Sequence, residues 1–218
     1  MIEIRNVSKS FKKNWYALKD INLSIKKGEF IFIIGSTGSG KSTLLRLIYM
    51  DIFPDEGEVA VAGFLSSEIS KAEIPFLRRR IGIIFQDFKL LRDKTVYENV
   101  AFALEVTGKS GRKMREKVMK ALTMVGLSHK RNEFPYQLSG GEQQKIAIAR
   151  ALVREPFILL ADEPTGNIDP EGSKEIIQIL QDINTSGTAV LMATHDVYLA
   201  KKMGGKIVKL REGEMVEE

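Results

Sequence analysis

Cysteine is absent from this chain of 218 residues, and histidine occurs only twice. Without cysteine, neither a disulfide framework nor a thiolate metal site is possible, which is consistent with a reducing compartment. The two histidines, His129 and His195, lie too far apart in the sequence to indicate a metal cluster.

Long hydrophobic runs are also missing. The longest apolar stretches, such as Phe30–Ile34 and Phe157–Ala161, have five residues each, whereas a membrane helix needs about 20. The first ten residues are charged and lack the apolar core of a secretory signal. We therefore expect a cytoplasmic protein that does not span a bilayer by itself.

The net charge is +5 and the sequence pI is about 9.3. A basic balance occurs in proteins that bind nucleic acid or anionic membranes. Here the basic residues are spread out, with dense groups only at Arg78–Arg80 and Lys109–Lys120 and no interleaved aromatics. This distribution favours a solvated, lysine-rich surface and gives no sign of a strand-binding groove for nucleic acid.

Strand and helix patterns alternate along the chain. Period-two or continuous apolar segments predict strands at Ile2–Val7, Ile21–Ile25, Glu29–Ile34, Glu58–Ala62, Ile81–Phe85, Phe157–Ala161, Thr188–Ala193, Ile207–Leu210 and Glu214–Val216. Apolar residues at three- and four-residue spacing predict helices at Gly40–Ile48, Glu73–Arg80, Thr95–Thr107, Arg112–Val125, Ser139–Arg154, Pro170–Asn184 and Val197–Met203. This order predicts one α/β domain with a largely parallel sheet. Its core comprises about 1–86 and 138–218, with an inserted helical lobe at about 87–137.

A glycine-rich loop follows the buried strand that ends at Ile34. It reads Gly35-Ser36-Thr37-Gly38-Ser39-Gly40-Lys41-Ser42 and fits G-x-x-x-x-G-K-[ST]. Such a loop brings backbone N–H groups close to phosphate oxygens, and the helix that follows adds its positive end. Lys41 supplies a charge for the β- and γ-phosphates and Ser42 a hydroxyl for Mg²⁺. The position between a strand and a helix predicts a nucleotide site.

Two acidic residues, Asp162 and Glu163, follow a second buried strand. The carboxyl ends of parallel strands face the ligand crevice, so both carboxylates should lie near the phosphate loop. Asp162 can hold Mg²⁺ there, and Glu163 can polarise a water molecule for attack on the γ-phosphate. A charged cap on a strand end would also explain the pair, but the phosphate loop favours the catalytic interpretation.

The segment Leu138-Ser139-Gly140-Gly141-Glu142-Gln143 begins a helix. Ser139 with Glu142 three residues later forms a capping box, which by itself explains a helix start. Two glycines in the first turn nevertheless weaken the helix by about 1 kcal/mol each relative to alanine. Bare N–H groups at a positive helix end indicate a second anion site, as in two half-sites that meet across a dimer.

These motifs together resemble the ATP-binding-cassette (ABC) ATPases, and the resemblance covers essentially the whole chain. It implies a P-loop NTPase fold with N-terminal antiparallel strands and an inserted helical lobe. It also implies binding of ATP and Mg²⁺, hydrolysis of ATP, and a homodimer that sandwiches two nucleotides. In that dimer the helix start of residues 138–143 covers the nucleotide held by the partner's phosphate loop. The resemblance also adds Thr43, which follows the phosphate loop, to the residues that bind ATP.

The resemblance assigns further residues by position. Gln86 would sense the γ-phosphate and bind Mg²⁺, and His195 would contact the γ-phosphate. The D-loop, the short segment after the catalytic glutamate, is Gly166-Asn167-Ile168-Asp169. Phe11 is the expected aromatic residue that stacks on adenine, and Trp15 and Tyr16 are close rivals for this role.

Within that family, residues 81–106, 162–169 and 190–196 resemble the cell-division ATPases of the FtsE group. The resemblance implies a separate FtsX-like membrane partner, regulation of cell-wall hydrolysis, and a location on the cytoplasmic membrane face. Phe88, Leu90 and Leu91 would contact the partner, would cover the core of the helical lobe, or would do both. Lipoprotein-release ATPases and macrolide or peptide exporters share these motifs. A function of another class would be that of a soluble ABC protein acting on nucleic acid or ribosomes, or that of a P-loop kinase.

Overall fold

The computed structural model describes residues 1–12 and 15–216. Their strands are β1 (Ile2–Lys12), β2 (Trp15–Ile25), β3 (Phe30–Ile34), β4 (Glu56–Val61), β5 (Phe64–Leu65), β6 (Ile81–Ile84), β7 (Ile158–Asp162), β8 (Ala189–Thr194), β9 (Lys206–Arg211) and β10 (Glu214–Val216). The helices are α1 (Lys41–Ile48), α2 (Ile74–Arg78), α3 (Val96–Glu105), α4 (Gly111–Met124), α5 (Gly140–Leu152), α6 (Pro170–Thr185) and α7 (Val197–Met203). Short 3₁₀ helices lie at Ser128–Lys130 and Pro135–Gln137.

The strands form two sheets. An antiparallel sheet has the order β2-β1-β4-β5, and a six-stranded sheet has the order β10-β9-β3-β8-β7-β6. In the second sheet only the β9–β10 pair is antiparallel. The α/β fold with a mostly parallel core sheet and antiparallel N-terminal strands is therefore confirmed.

The larger sheet is buried on both faces, which explains its continuous apolar strands. In β3, Phe32 and Ile34 pack into one hydrophobic cluster, whereas Ile31 and Ile33 pack into the other. The first cluster also contains residues of α3, α4, α5 and α6, and the second contains residues of α1 and of the antiparallel sheet. Between β6 and β7 the described chain contains only helices, of which α5 packs against α3, α4 and β6.

The N-terminal hairpin is longer than the sequence pattern predicts. The first strand continues to Lys12, and the second begins at Trp15 and not at Ile21. Their pairing has register shifts, including one between Ile4 and Val7, and Asn6 adopts a φ of 49°. Each bulge shifts the alternation of apolar residues by one position, which hides the strand from a period-two analysis. The two-residue strand β5 was not predicted.

None of the helices in residues 1–12 and 15–216 combines the length and hydrophobicity that a bilayer crossing requires.

Candidate nucleotide site

The parallel register brings three strand ends together. Ile34 at the end of β3 pairs with Thr194 at the end of β8, and Asp162 at the end of β7 pairs with Ala193. The chain therefore leaves the sheet at one edge into the phosphate loop, Glu163 and His195. This is the arrangement that the sequence predicts for the carboxyl ends of these strands.

The phosphate loop ends at Gly40, which has a φ of 107° and makes no side-chain cap to α1. A Cβ atom at Gly40 would lie 2.5 Å from the Ala17 carbonyl oxygen, so no other residue fits there without a shift. A Cβ atom at Gly35 would lie 2.4 Å from the Leu210 carbonyl oxygen. The N–H groups at the start of α1 therefore have no side-chain partner from their own cap, and the positive end of the helix can meet an anion.

Lys41 is the buried cation of this loop, with a side chain that is 5% exposed. Its Nζ donates to the carbonyl oxygens of Gly35 at 2.8 Å and Ser36 at 3.1 Å. The same Nζ lies 3.3 Å from Glu163 Oε1, and the other oxygen of Glu163 lies 3.2 Å from His195 Nδ1. Lys41, Glu163 and His195 thus form one connected chain of polar groups.

Backbone geometry fixes the direction of Glu163. It has a φ of 44°, and its N–H donates to the Ala193 carbonyl oxygen at 2.9 Å. Non-glycine residues rarely adopt this left-handed conformation, and those that do cluster at functional sites. The turn directs the carboxylate toward Lys41, away from the sheet interior.

Asp162 lines the same cavity as Ser42 and Gln86. Burial raises its pKa above the usual value, and the neighbouring charge of Glu163 adds to this, while the hydrogen bond from Ser42 and the charge of Lys41 oppose it. A cation that binds here would offset the cost of burying the carboxylate. A carboxylate, a hydroxyl and the nearby amide oxygen of Gln86 form the set of hard ligands that Mg²⁺ prefers, so these residues fit a magnesium ion.

One cavity of about 310 Å³ contains most of the predicted nucleotide residues. Its lining consists of Trp15, Ala17, Thr37, Gly38, Gly40, Lys41, Ser42, Thr43, Gln86, Asp162 and Glu163. Ala17 was not predicted, because no sequence pattern distinguishes it. Among the described lining residues none comes from positions 138–143.

The three aromatic candidates for adenine lie on the surface. Phe11 is 48% exposed, Trp15 53% and Tyr16 46%. The rings of Phe11 and Trp15 are 6.4 Å apart between centroids and are tilted by 38°. Of the three, Trp15 lines the cavity.

The helix α5 begins with a complete capping box. Ser139 Oγ accepts from the Glu142 N–H at 3.2 Å, and Glu142 Oε2 accepts from the Ser139 N–H at 3.0 Å. Glu142 Oε1 also pairs with Lys130 Nζ at 2.7 Å. Gln143 Nε2 donates to the Leu138 carbonyl oxygen at 3.2 Å.

The D-loop connects the cavity to this helix start. A Cβ atom at Gly166 would lie 3.2 Å from Gln86 Nε2, and one at Gly140 would lie 3.4 Å from the Asn167 carbonyl oxygen. One at Gly141 would lie 3.6 Å from Ile168 Cγ2. Asp169 caps α6 by accepting from the Glu171 and Gly172 N–H groups at 3.1 and 2.9 Å.

The apolar side chains of the segment after Gln86 are only partly exposed. Phe88, Leu90 and Leu91 are each half-buried, and Leu90 packs against the larger core cluster. The ring of Phe88 points toward α5, with Cζ 3.9 Å from a Cβ atom built at Gly140. Sequence reasoning missed Arg150, which donates to backbone carbonyls in this segment.

The chain is similar to known proteins over nearly its whole length. The family model described as "ABC transporter" matches residues 18–166. The cell division ATP-binding protein FtsE of Mycobacterium tuberculosis is 50% identical over 219 residues, which cover 100% of this chain and 95% of that protein. FtsE of Streptococcus pneumoniae is 46% identical over 218 residues (100% and 95%), and FtsE of Escherichia coli K12 is 45% identical over 215 residues (99% and 97%).

Solved structures show the same fold. The ATP-binding cassette MJ0796, a dimer in a post-hydrolysis state bound to ADP and Pi, has a TM-score of 0.89 and 39% identity, covering 100% of this chain and 97% of that one. The cbiO1 protein of Clostridium perfringens, part of an ABC transporter complex, has a TM-score of 0.91 and 32% identity, covering 99% and 86%. The resemblance found in the sequence is confirmed: this chain belongs to the ABC transporter family of ATP-binding cassettes.

Proposed function

We propose that this chain is the ATP-hydrolysing subunit of an FtsE-like cell-division complex. Two copies close around two molecules of ATP and drive a separate membrane protein of the FtsX type. The observation that carries the proposal is the single cavity in which the phosphate loop, Gln86, Asp162 and Glu163 converge. Through its partner the chain works at the cytoplasmic face of the membrane and regulates cell-wall hydrolysis.

Each residue of the cavity has a separate role. Lys41 and the loop N–H groups bind the β- and γ-phosphates, while Ser42, Gln86 and Asp162 would hold Mg²⁺. When bound, this ion neutralises charge on the β- and γ-phosphate oxygens. Glu163 accepts a hydrogen bond from the attacking water, and His195, whose Nδ1 lies 3.2 Å from Glu163 Oε2, would contact the γ-phosphate. The phosphate oxygens offer Lys41 a partner other than Glu163, so ATP binding releases the carboxylate toward water.

The proposal of a dimer is supported by the position of the α5 helix start, which does not line the cavity of its own chain. No described lining residue of the cavity comes from positions 138–143, although this helix end has the glycines and hydroxyl of an anion site. A second copy can bring its Ser139 end to the open side of the cavity. The D-loop, which lies between Gln86 and Gly140, then connects the two half-sites.

For adenine, the family position favours Phe11, and the cavity lining favours Trp15. Because the two rings are neighbours, both can contribute apolar surface to one purine face. Substituting each residue with alanine and measuring the KM for ATP separates their contributions.

The membrane partner docks on the helical lobe of residues 87–137 and the adjoining core. Beside Phe88 a recess of about 380 Å³ has an apolar wall of Ile83, Phe85, Phe102, Ala103, Ala151 and Val106. Phe102 is 43% exposed and Val106 54%. The recess is therefore a better apolar contact than the half-buried Phe88, Leu90 and Leu91.

The charges around this recess indicate the charge of the partner segment that would bind there. The charged lining residues are Arg78, Lys89, Arg150 and Arg154, without a carboxylate among the described ones. The Nε atom of Arg154 is buried without a hydrogen-bond partner. An acidic segment with an apolar face would satisfy both features.

The catalytic assignment is tested with Glu163→Gln, which keeps the shape of the side chain and removes the base. We expect ATP binding to persist, kcat to fall at least about a hundredfold, and a stable ATP-bound dimer to accumulate in size-exclusion chromatography. Wild-type hydrolysis by this variant would contradict the assignment of the base.

The partner assignment is tested at one exposed position with two charges. Val106→Glu places an acid in the recess, and Val106→Lys adds another cation. We expect the first to weaken binding to a co-purified FtsX-type protein by about tenfold and the second to have a smaller effect. Equal losses would contradict an acidic partner segment.

A further inference from the structure

Arg150 on α5 holds two consecutive carbonyl groups of the loop that follows Gln86. Its Nη1 donates to the Lys89 carbonyl oxygen at 2.6 Å, and its Nη2 donates to the Phe88 carbonyl oxygen at 2.7 Å. Burial lowers the pKa of Arg150, and no neighbouring carboxylate of the described chain offsets this effect. The desolvated guanidinium is therefore satisfied by this loop backbone, and both of its described hydrogen bonds go there.

The backbone that it holds is strained. Phe88 has a φ of 59° and Lys89 a φ of 50°, and in the described chain they are the only two adjacent non-glycine residues in the left-handed region. Each such residue costs roughly 1–2 kcal/mol relative to an ordinary conformation. A planar guanidinium fork, unlike a single ammonium donor, matches two neighbouring carbonyl oxygens and can fix this geometry.

The loop connects the two halves of the nucleotide machinery. Two residues before Phe88 lies Gln86, whose amide lines the cavity and packs beside Gly166. The ring of Phe88 reaches the first residue of α5, which is also the helix that carries Arg150. The loop therefore lies against α5 near both ends of the helix, at Gly140 and at Arg150.

We propose that Arg150 is a positioning residue that holds the left-handed loop at Phe88 and Lys89, and thereby keeps Gln86 directed into the cavity. It couples the helix end that meets the second nucleotide to the residue that senses the first. The inference depends on the proposed role of Gln86 and goes beyond it, because it assigns the cause of that residue's orientation. A purely structural role would be limited to filling space between α5 and the loop.

The test removes Arg150 and then relieves the backbone strain at Lys89 with glycine. We expect Arg150→Met, which keeps an unbranched apolar stem and removes the guanidinium, to lower kcat for ATP at least about tenfold. The KM should stay within about threefold, because the phosphate loop is untouched. Glycine adopts a positive φ without strain. Lys89→Gly in the Arg150→Met background should therefore restore kcat at least about threefold, and it should help more there than in the wild-type background.

Two matched controls separate strain from side-chain loss. Lys89→Ala removes the same side chain but keeps the strain, so it should not restore kcat. Lys94→Gly makes the same substitution in the same connecting segment, at a residue outside the left-handed region, and should not restore it either. Arg150→Lys, which keeps the charge and loses the fork, provides a second loss variant if Arg150→Met unfolds below the assay temperature.

The outcomes distinguish the two proposals. A wild-type kcat in Gln86→Ala would remove the proposed role of Gln86. A tenfold loss in Gln86→Ala, with Lys89→Gly and Lys89→Ala acting alike in the Arg150→Met background, would overturn the positioning role of Arg150 alone. A kcat in both Arg150 variants within threefold of wild type would overturn it as well.

Discussion

Two helices in this protein begin with glycine-rich segments, and their first turns are built differently. Helix α1 follows Gly40, has no side-chain cap and has no acidic residue in its first turn. Helix α5 has a full capping box from Ser139 and an acidic residue, Glu142, in its first turn. The first helix end is open to an anion, whereas the second already has a carboxylate from its own chain.

The lysine near the start of α1 and the lysine near the start of α5 also have different partners. Lys41 is buried beside its helix end and bonds to loop carbonyls and Glu163. At the other end, Lys130 is occupied by Glu142. We therefore expect an isolated copy to bind a triphosphate at α1. In the proposed dimer, the end of α5 would meet the nucleotide that the second copy holds.

The largest effect should come from Lys41→Ala. Removing a buried charge that faces the phosphates should weaken ATP binding about a hundredfold or more, as measured by titration calorimetry. Lys113→Ala, at an exposed position on α4, is the control and should bind ATP normally. Normal affinity in Lys41→Ala would remove the distinction between the two helix ends.

A pair of glycine substitutions should show a smaller difference in stability. Gly40→Ala forces a Cβ atom to within 2.5 Å of the Ala17 carbonyl oxygen at a φ of 107°. We expect it to lower the free energy of unfolding by about 2 kcal/mol or more. In Gly140→Ala the new Cβ atom would lie 3.4 Å from the nearest backbone atom, so the free energy of unfolding should stay close to that of wild type. Similar losses in both variants would contradict the structural contrast.

Ser139→Ala tests the α5 end without touching α1. Loss of the cap should destabilise the protein by about 1 kcal/mol. ATP affinity of the single chain should be unchanged, and kcat should fall about tenfold because the dimer loses a contact. Thr95→Ala is a matched control, since it removes an equivalent capping box from α3. If Thr95→Ala lowers kcat equally, the loss reflects stability and not the second half-site.

Local patterns account for what the sequence predicts well. The phosphate loop and Glu163 each follow a buried strand directly, Asp162 is the last residue of one, and parallel strands place their carboxyl ends together. The capping box of Ser139 and Glu142 also lies within one helical turn. These features depend on neighbours in the chain, so a single sequence is enough to find them.

Contacts between distant segments could not be predicted in the same way. The bond from Arg150 to Phe88 joins residues 62 positions apart, and no periodicity indicates it. The resemblance offered Phe88 as a partner contact or as cover for the core of the helical lobe, and the sequence alone could not show that its left-handed backbone brings the ring close to α5. The bulges of the β1–β2 hairpin similarly hide Trp15 from strand analysis, although this residue lines the cavity.

The smallest effect should come from Glu142→Gln at the α5 end. Burial alone would raise the pKa of Glu142, but the hydrogen bonds from Lys130 and the Ser139 N–H lower it overall. A carboxylate whose pKa is depressed by folding stabilises the protein above its unfolded pKa, near 4.5, and loses this contribution as the pH falls further. Glutamine keeps the cap and loses only the ion pair with Lys130, so at pH 7 the variant should be less stable by about 0.5 kcal/mol. In urea denaturation that difference should shrink toward zero at pH values below 4.5. A difference that stays constant with pH would show that packing, and not charge, sets the contribution of Glu142.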